Sequence, residues 1–364
     1  MLLREAAQER YNKEELPSLK YGLTIKLNAK GLSLAGQEQS KSKQEVNIKQ
    51  KGCEVTDLIS SLERPDVRKH LLTTKPESRT KLEDFNDAFF DTGTLVIAPE
   101  NTAATLELER NITSTTFKSH TLIICKKRSK LTVTDHYRSD NCTLHSSTIE
   151  VITEEGAEIS YAGIQDLNKK CYDLTSHQAK LGKNSRIDWF TATLGAKVSR
   201  STINNELGEG SEARSYGVHL GNEEQQFDLG SATTHLGNNS NSDMYVRGVL
   251  GGKAKAVFRG LIKIDKDAAN CDGYQKEETI LISDQAGADA IPNLEIMNNE
   301  VKCSHGATIG RIDEKQLFYL TSRGVNKEEA TRMIVEGFFE PITTKLGRPE
   351  LFEKIKPTVR ARMT

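Results

Sequence analysis

The chain has 364 residues, of which 36% are hydrophobic, and this content is enough for a sizeable core, so disorder of the whole chain is excluded. Its 50 lysines and arginines against 51 aspartates and glutamates leave a formal net charge of -1. This balance excludes an overall electrostatic field that would select nucleic acid or an anionic membrane as the main partner.

No apolar run approaches the roughly 20 residues that a membrane-spanning helix needs. Charged residues already occur at positions 4 and 5, and the amino-terminal segment lacks the apolar stretch of an export signal. We therefore expect a cytoplasmic protein with no membrane partner. The cysteines form no C-x-x-C pair, and in a reducing compartment we expect free thiols at positions 53, 125, 142, 171, 271 and 303.

Residues 1–80 are predicted to be a polar, partly helical amino-terminal region. Lysine, glutamate and glutamine dominate residues 41–51, where we expect a mobile linker. Short, loosely packed helices are predicted at residues 57–62 and 65–72. Pro65 suits the first position of the second helix, because the N–H group that proline lacks has no helical partner there.

Residues 81–312 have the pattern of a mainly β core. Apolar and polar residues alternate in short runs bounded by Gly, Asn and Asp, as in half-buried strands; examples are residues 94–97, 122–125 and 147–151. Turns of the form Gly-small-polar recur, for example at Gly156 and Gly210. A repeat of about 15–20 residues is typical of a β-solenoid, and a large β-sandwich is the alternative that the pattern leaves open.

Residues 313–364 are predicted to be a helical carboxy-terminal region. The first helix spans residues 313–323 and ends at Gly324, which tolerates the positive φ of that position. Asn326 caps the second helix. Its apolar residues recur at helical spacing and are predicted to pack on the end of the β core: Ala330, Met333, Ile334, Gly337 and Phe338. Phe338 and Phe339 are left for a partner.

Two glycine-rich strings resemble nucleotide-binding motifs but lack the required context. The string GEGSEA at residues 208–213 lies between β-like segments, with no following helix to direct its N-terminus at a pyrophosphate. The string GGKA at residues 251–254 lacks the Ser or Thr that holds magnesium in a phosphate loop. We therefore expect that this chain binds no nucleotide.

Cys303 and His305 are the pair most suited to carry chemistry. In a strand, two residues separated by one lie on the same face with Cα atoms about 6.6 Å apart. A thiolate and an imidazole on one face can bind iron or zinc. The alternative is a buried cysteine beside a hydrogen-bonded histidine. Two ligands alone do not make a site, but a two-fold dimer interface would double them.

Five ordered motifs from residue 248 onward resemble the SufB/SufD family of iron–sulfur cluster assembly proteins. They are GVLGGKAKAVFRG at 248–260, TILISD at 279–284, PNLEI at 292–296, VKCSHGATIG at 301–310 and LFYLTSRG at 317–324. Upstream, FNDAFFDTG at 85–93 looks like the family's entry into its first coils. The resemblance covers roughly residues 80–340.

The resemblance implies a right-handed parallel β-helix core with helical amino- and carboxy-terminal regions. It also implies a SufC-type ABC ATPase partner, docked near Arg323, Phe338 and Phe339. ATP hydrolysis would then belong to that partner, and the chain would be an assembly scaffold rather than an enzyme. Within the family two related subunits pair through their β-helices, and a transient iron–sulfur cluster forms at their interface.

The VKCSHGAT string resembles the SufD type, whereas SufB-type chains carry a cysteine where this sequence has Glu277. We expect Cys303 to accept persulfide sulfur or bind iron, with His305 as second iron ligand. Glu295 or Glu300 is expected as an oxygen ligand or as a base that contacts the ligands without binding the metal. Cys271 is a weaker candidate.

A homodimer is favoured because the chain is short for a SufB, and a heterodimer with a paralogue is the alternative. Further partners would be a sulfur donor and apoprotein acceptors. The competing functions are a purely structural SufD-like subunit and, from another class, a polysaccharide-active β-helix enzyme.

Overall fold

A computed structural model of the chain describes residues 2–15, 31–74 and 79–363. This described part contains eighteen strands in two nine-stranded sheets. Its helices lie before and after the long strands: α1 Leu2–Lys13, α2 Pro65–His70, α3 Lys81–Phe89, α4 Glu314–Ser322, α5 Lys327–Leu346 and α6 Glu350–Arg362.

Sheet A combines β1 with the even-numbered strands from β4 onward. In spatial order these are β1 Gln44–Lys51, β4 Ala103–Ile112, β6 Lys130–Ser139, β8 Glu158–Leu167, β10 Arg186–Thr193, β12 Glu212–Gly221, β14 Asn241–Leu250, β16 Cys271–Leu281 and β18 Val301–Arg311. Sheet B combines β2 with the odd-numbered strands from β3 onward. These are β2 Glu54–Asp57, β3 Thr92–Ala98, β5 Thr116–Cys125, β7 Leu144–Thr153, β9 Tyr172–Leu181, β11 Val198–Leu207, β13 Gln226–His235, β15 Lys255–Ile264 and β17 Gly287–Ile296.

From β3 onward, neighbouring strands within a sheet are parallel and stacked in register. Lys130 pairs with Glu158 and Glu158 with Arg186, so one coil of the chain takes 28 residues here. Each coil adds one strand to each sheet, which makes a parallel β-solenoid. The prediction of a solenoid is confirmed, and the β-sandwich alternative is wrong. The predicted repeat of 15–20 residues is too short, because one coil contains two 10-residue strands and two corners.

The corners between strands use residues that tolerate a left-handed backbone. Gly156 and Gly210 have φ values of 67° and 65°, and Asn184 adopts 53° at an equivalent place. The strings at 208–213 and 251–254 both contain such corners. Each leads into a strand, so neither aims a helix N-terminus at a phosphate.

The inward side chains form a core that includes a charged pair. Arg110 Nε donates a hydrogen bond to Asp135 Oδ1 at 2.7 Å, and both side chains are at most 1% exposed. The hydroxyl groups of Tyr137 and Tyr161 donate to Asp135 Oδ2 at 3.0 and 3.1 Å. The interior accepts these charges because they are paired and hydrogen-bonded.

The amino-terminal region covers the first coil. β1 pairs antiparallel with β4, and β2 pairs antiparallel with β3. The prediction of a mobile linker at residues 41–51 is therefore wrong, because most of this segment is strand β1. Val46 packs on the core, and most other side chains of β1 are exposed. Residues 58–63 form turns instead of the predicted helix, whereas the helix that begins at Pro65 is confirmed as α2.

Helix α3 covers the outer face of sheet B. It begins with a capping box, in which the Thr80 hydroxyl accepts from the Leu82 N–H and the Glu83 carboxylate accepts from the Thr80 N–H. Phe85 is completely buried in a cluster with Leu174 of β9. This packing attaches the helix to the solenoid.

The predicted cap of α5 at Asn326 is confirmed, and Asp313, which was predicted only as the first residue of the preceding helix, is the cap of α4. The Asp313 side chain accepts from the Lys315 N–H at 2.8 Å, and the Asn326 side chain accepts from the Glu329 N–H at 2.8 Å. Gly324, with a φ of 90°, follows α4. None of the helices in the described ranges is long and apolar enough to cross a membrane.

Helix α5 packs along the flank of sheet A, against β10, β12 and β14, and not on the end of the solenoid as predicted. Its buried residues are Ala330, Val335, Phe339, Ile342, Thr343 and Leu346. Ala330 is buried as predicted, but Met333 is 43% exposed. The predicted apolar face differs from the buried face because the helix continues to Leu346 and its second half makes most of the contact with sheet A.

Candidate functional site

The candidate site lies at the last coil of the solenoid, formed by β17 and β18. These strands end sheet B and sheet A, and within the described residues no further strand pairs with their outer edges. The inward side chains of the last coil are therefore not covered by another coil. Apolar groups remain exposed here, with Ile309 at 40% and Ile296 at 41%.

Cys303 and His305 lie on the inward face of β18, as their spacing predicts. Cys303 pairs with Gly273 and His305 with Gln275 of β16. Cys303 is half-buried and packs against an apolar cluster that includes Ile262, whereas His305 is exposed. The two side chains share one face at the open end of the solenoid.

The Cys303 thiol occupies space that a glycine leaves free. A Cβ atom at Gly273 would lie 3.2 Å from Cys303 Sγ and 3.0 Å from Ile262 Cγ2. Burial raises the pKa of the Cys303 thiol, and a backbone hydrogen bond at Gly273 only partly opposes this effect. The isolated chain therefore holds Cys303 as a neutral thiol at pH 7, which is a poor nucleophile until a metal or a rearrangement deprotonates it.

The predicted oxygen ligands are not brought to Cys303. Leu294 of β17 faces inward with the Cys303 cluster, so the adjacent Glu295 points outward from sheet B and is exposed. Glu300 is exposed in the turn before β18. In the described part of the chain, no three Cys, His, Asp or Glu side chains stand together as a metal site. One chain alone thus presents two neighbouring ligands.

Cys271 serves the structure of a corner. Its side chain is 1% exposed, and its Sγ lies 3.3 Å from Ser240 Oγ and 3.5 Å from the carbonyl oxygens of Gly237 and Ala268. The Cys271 thiol is a single weak donor, and these oxygen atoms already satisfy it. Its position does not favour the weaker candidate role.

Glu277 is a residue of this site that sequence reasoning named only as a departure from SufB. It pairs with Ala307, its side chain points inward one coil below β18, and it is 4% exposed. The Thr279 hydroxyl donates to its Oε1, and Oε2 has no partner. Burial raises the pKa of Glu277 to about 7, which the bond from Thr279 only partly opposes. Alternation along β16 from Cys271 was the signal that could have identified it.

A second surface lies where α4 and α5 meet the flank of sheet A. A cleft of about 860 Å³ is lined by residues that include Arg247, Tyr319 and Met333. Phe318 is 73% exposed and Tyr319 59%. Phe318 and Tyr319 belong to the LFYLTSRG motif, but the sequence did not predict that they are exposed. Helical periodicity does not show which face of a helix lacks a neighbour.

The three residues predicted for partner binding differ in their placement. Arg323 is exposed and lies over the Tyr319 ring, 5.5 Å from its centroid. Phe338 is half-buried beneath Arg247, whose guanidinium lies 4.6 Å from the ring centroid. Phe339 is completely buried against sheet A, so it supports the helix and does not present a surface.

The fold defines the class: a parallel β-solenoid protein with helices on its flanks and, at β17 and β18, an end that no described segment covers. A family model described as "SUF system FeS cluster assembly, SufBD core domain" matches residues 108–338, from β4 into α5. The chain belongs to the SufB/SufD family of iron–sulfur cluster assembly proteins.

Individual relatives have the same description. Iron–sulfur cluster assembly SufBD family proteins from Pyropia yezoensis and Porphyra purpurea are each 30% identical to the chain, over 77% and 81% of it and 61% and 63% of their own lengths. A relative from Staphylococcus aureus strain USA300 is 27% identical, over 83% of this chain and 67% of its own. The chain thus spans little more than three fifths of the first two.

Proposed function

We propose that the chain is a scaffold subunit on which an iron–sulfur cluster is assembled at the last coil of the solenoid. The observation that carries the proposal is the placement of Cys303 and His305 side by side on the inward face of an uncovered end. Cys303 accepts persulfide sulfur or binds iron as a thiolate, and His305 is the second iron ligand. The cluster is cargo, to be passed to apoprotein acceptors.

A second subunit covers this end in the proposed assembly. Two unpaired strand edges and exposed apolar residues are unfavourable on a free surface, and a second solenoid placed end to end buries them. A two-fold homodimer would bring two Cys303 and two His305 side chains together and supply the ligands that one chain lacks. A paralogue is the alternative second subunit.

The ATPase partner is proposed to be of the SufC type and to dock on the exposed faces of α4 and α5. Phe318, Tyr319 and Met333 provide the apolar contact there, and Arg323 lies beside them. ATP hydrolysis is assigned to that partner. We place the protein in the cytoplasm, a reducing compartment in which its six unpaired cysteines would remain free thiols.

Arg247 provides a physical link between the docking surface and the site. Its Nη1 donates to the Phe338 carbonyl of α5 at 2.5 Å, and its Nε donates to Glu278 of β16 at 2.9 Å. Glu278 is adjacent to Glu277, which points inward beneath the last coil. A shift of α5 driven by the ATPase would therefore act on β16 and, in the proposed cycle, open the end where the cluster forms.

The proposal is tested by anaerobic reconstitution with iron and sulfide, comparing the wild type with Cys303→Ala. Cys53→Ala is the matched control, because Cys53 is also a partly exposed free cysteine and lies at the opposite end of the solenoid. We expect a visible cluster absorption and bound iron and sulfide in the wild type and the control, and loss of all three in Cys303→Ala.

The second candidate function is a structural SufD-like subunit without an essential ligand. It is favoured by the raised pKa of the Cys303 thiol and by the absence of a three-ligand group in the described chain. Equal cluster content in Cys303→Ala and the wild type would select this structural function, with the chemistry on another subunit.

A further inference from the structure

Two cysteines lie in contact at neighbouring corners of the solenoid. Cys142 lies just before β7, and Cys171 lies just before β9. Both side chains are completely buried, and they belong to one cluster with Phe117 and Tyr137. The two thiols hydrogen-bond to each other. This bond, and then burial, raises the pKa of the Cys171 thiol above its ordinary value.

The strand register gives the two residues the separation that a disulfide needs. Strands β6 and β8 pair up to their last residues, and β7 and β9 pair from their first, so the corners 140–143 and 168–171 have equal length. Cys171 therefore stacks on Thr143, the neighbour of Cys142. Adjacent strands are about 4.8 Å apart and consecutive Cα atoms about 3.8 Å, so the Cα atoms of the two cysteines are about 6 Å apart. Disulfides join Cα atoms that are about 4.4–6.8 Å apart.

The contact between thiols distinguishes this pair from the other buried cysteines. The Cys125 thiol hydrogen-bonds with the Ser129 hydroxyl, and the Cys271 thiol lies 3.3 Å from the Ser240 hydroxyl. Cys303 pairs with residue 273, so its Cα atom lies about 8 Å from that of Cys271, too far for a disulfide. Packing accounts for these single thiols, whereas two thiols in contact also make a redox couple.

We propose that Cys142 and Cys171 form a disulfide between neighbouring coils in the presence of a peroxide. One thiolate attacks a peroxide oxygen, the O–O bond breaks, and a sulfenic acid and water form. The second sulfur then displaces hydroxide from the sulfenic acid, which closes the S–S bond and releases a second water. The two thiols lose two electrons and two protons, and the peroxide takes up both. A thiol reductant reverses the change.

The pair lies near the surface and far from the proposed cluster site. Its neighbours in the corners, such as Asn141, Thr143 and Lys170, are exposed, so a local opening of one corner admits a peroxide molecule. Five strands of sheet A lie between β6 and β18, so the oxidation does not depend on the proposed function. The disulfide closes a loop of about one coil and restricts the unfolded chain, so it stabilises the oxidised protein.

The experiment is oxidation of the purified, reduced full-length chain by hydrogen peroxide, followed by trypsin digestion without reductant and mass spectrometry. Cys53 and Cys303, which are partly exposed, are first blocked with N-ethylmaleimide in the folded protein. Trypsin cleaves after lysine and arginine and so separates the two buried cysteines into peptides 139–169 and 171–180. We expect these peptides to be linked after oxidation, two fewer cysteines per chain to be alkylated after denaturation, and both effects to be reversed by dithiothreitol.

The matched variants are Cys171→Ala and Cys125→Ala, because each removes one buried thiol. Cys125→Ala should form the linked peptides as the wild type does, and its oxidised form should unfold at a higher temperature than its reduced form. Cys171→Ala should show neither effect. Absence of the linked peptides in the folded, oxidised wild type overturns the inference without any variant. Linkage of Cys142 or Cys171 mainly to other cysteines also overturns it.

Discussion

The buried pair of Arg110 and Asp135 provides a quantitative test of how the solenoid interior holds charge. Asp135→Asn keeps the size of the side chain and removes its charge, so Arg110 stays buried without a counter-ion. Breaking such a pair from one side costs about 3–5 kcal/mol of the free energy of unfolding. Removing both charges together, by Arg110→Met with Asp135→Leu, should cost less than the single change, because no unpaired charge stays buried and only the Tyr137 and Tyr161 hydroxyl groups lose their acceptor.

The chain has a single tryptophan that reports on these coils. Trp189 is completely buried, and its ring centroid is 5.2 Å from that of Tyr161, which donates to Asp135. Urea unfolding followed by Trp189 fluorescence therefore measures the free energy of the affected coils, even where a solenoid unfolds in parts. A loss below about 1 kcal/mol in Asp135→Asn would refute the reasoning, as would a double variant as unstable as the single one.

Three further predictions concern the site and the helical flank. Gly273→Ala should displace the Cys303 thiol, lower the cluster content after reconstitution and reduce stability by about 1–3 kcal/mol, and an unchanged cluster content would contradict this packing. Because burial raises the pKa of Glu277 from 4.5 to about 7, the folded chain retains a proton that the unfolded chain releases at lower pH. The free energy of unfolding should therefore fall by about 3 kcal/mol as the pH rises from 4.5 through 7, and comparison with Glu277→Gln across this range isolates the effect. Phe339→Ala should lower the free energy of unfolding by about 3–5 kcal/mol because the ring is buried, and thermal unfolding measures this loss. Phe318→Ala should leave stability within about 0.5 kcal/mol and weaken binding of the proposed SufC-type partner in a pull-down.

Predictions from the sequence were correct where residues within one short segment determine the local structure. The cap at Asn326 depends on its side chain and a backbone N–H group three residues away, and it forms. The shared face of Cys303 and His305 depends only on strand geometry. In each case no distant residue has to be known.

The predictions were wrong where contacts with a distant segment determine the local structure or the burial of a residue. Residues 41–51 read as a polar linker, yet the free edge of β4 pairs with them and makes them a strand. Phe339 and Met333 both lie on one amphipathic helix, and only the position of sheet A determines that Phe339 is covered while Met333 remains exposed. The repeat length was underestimated because the corners alone do not reveal that two strands separate equivalent turns.

The sequence by itself determined the β-rich core, the helical carboxy-terminal region, the Cys303–His305 pair and, through its motifs, the family. These features depend on residue type and short spacing, which the chain carries directly. The tertiary structure alone decided that Glu295 and Glu300 lie off the face of Cys303, that Glu277 points inward beneath it, and that this end of the solenoid is uncovered. The physical reason is that the stacking of coils aligns residues about 30 positions apart and sets which face of each strand is covered.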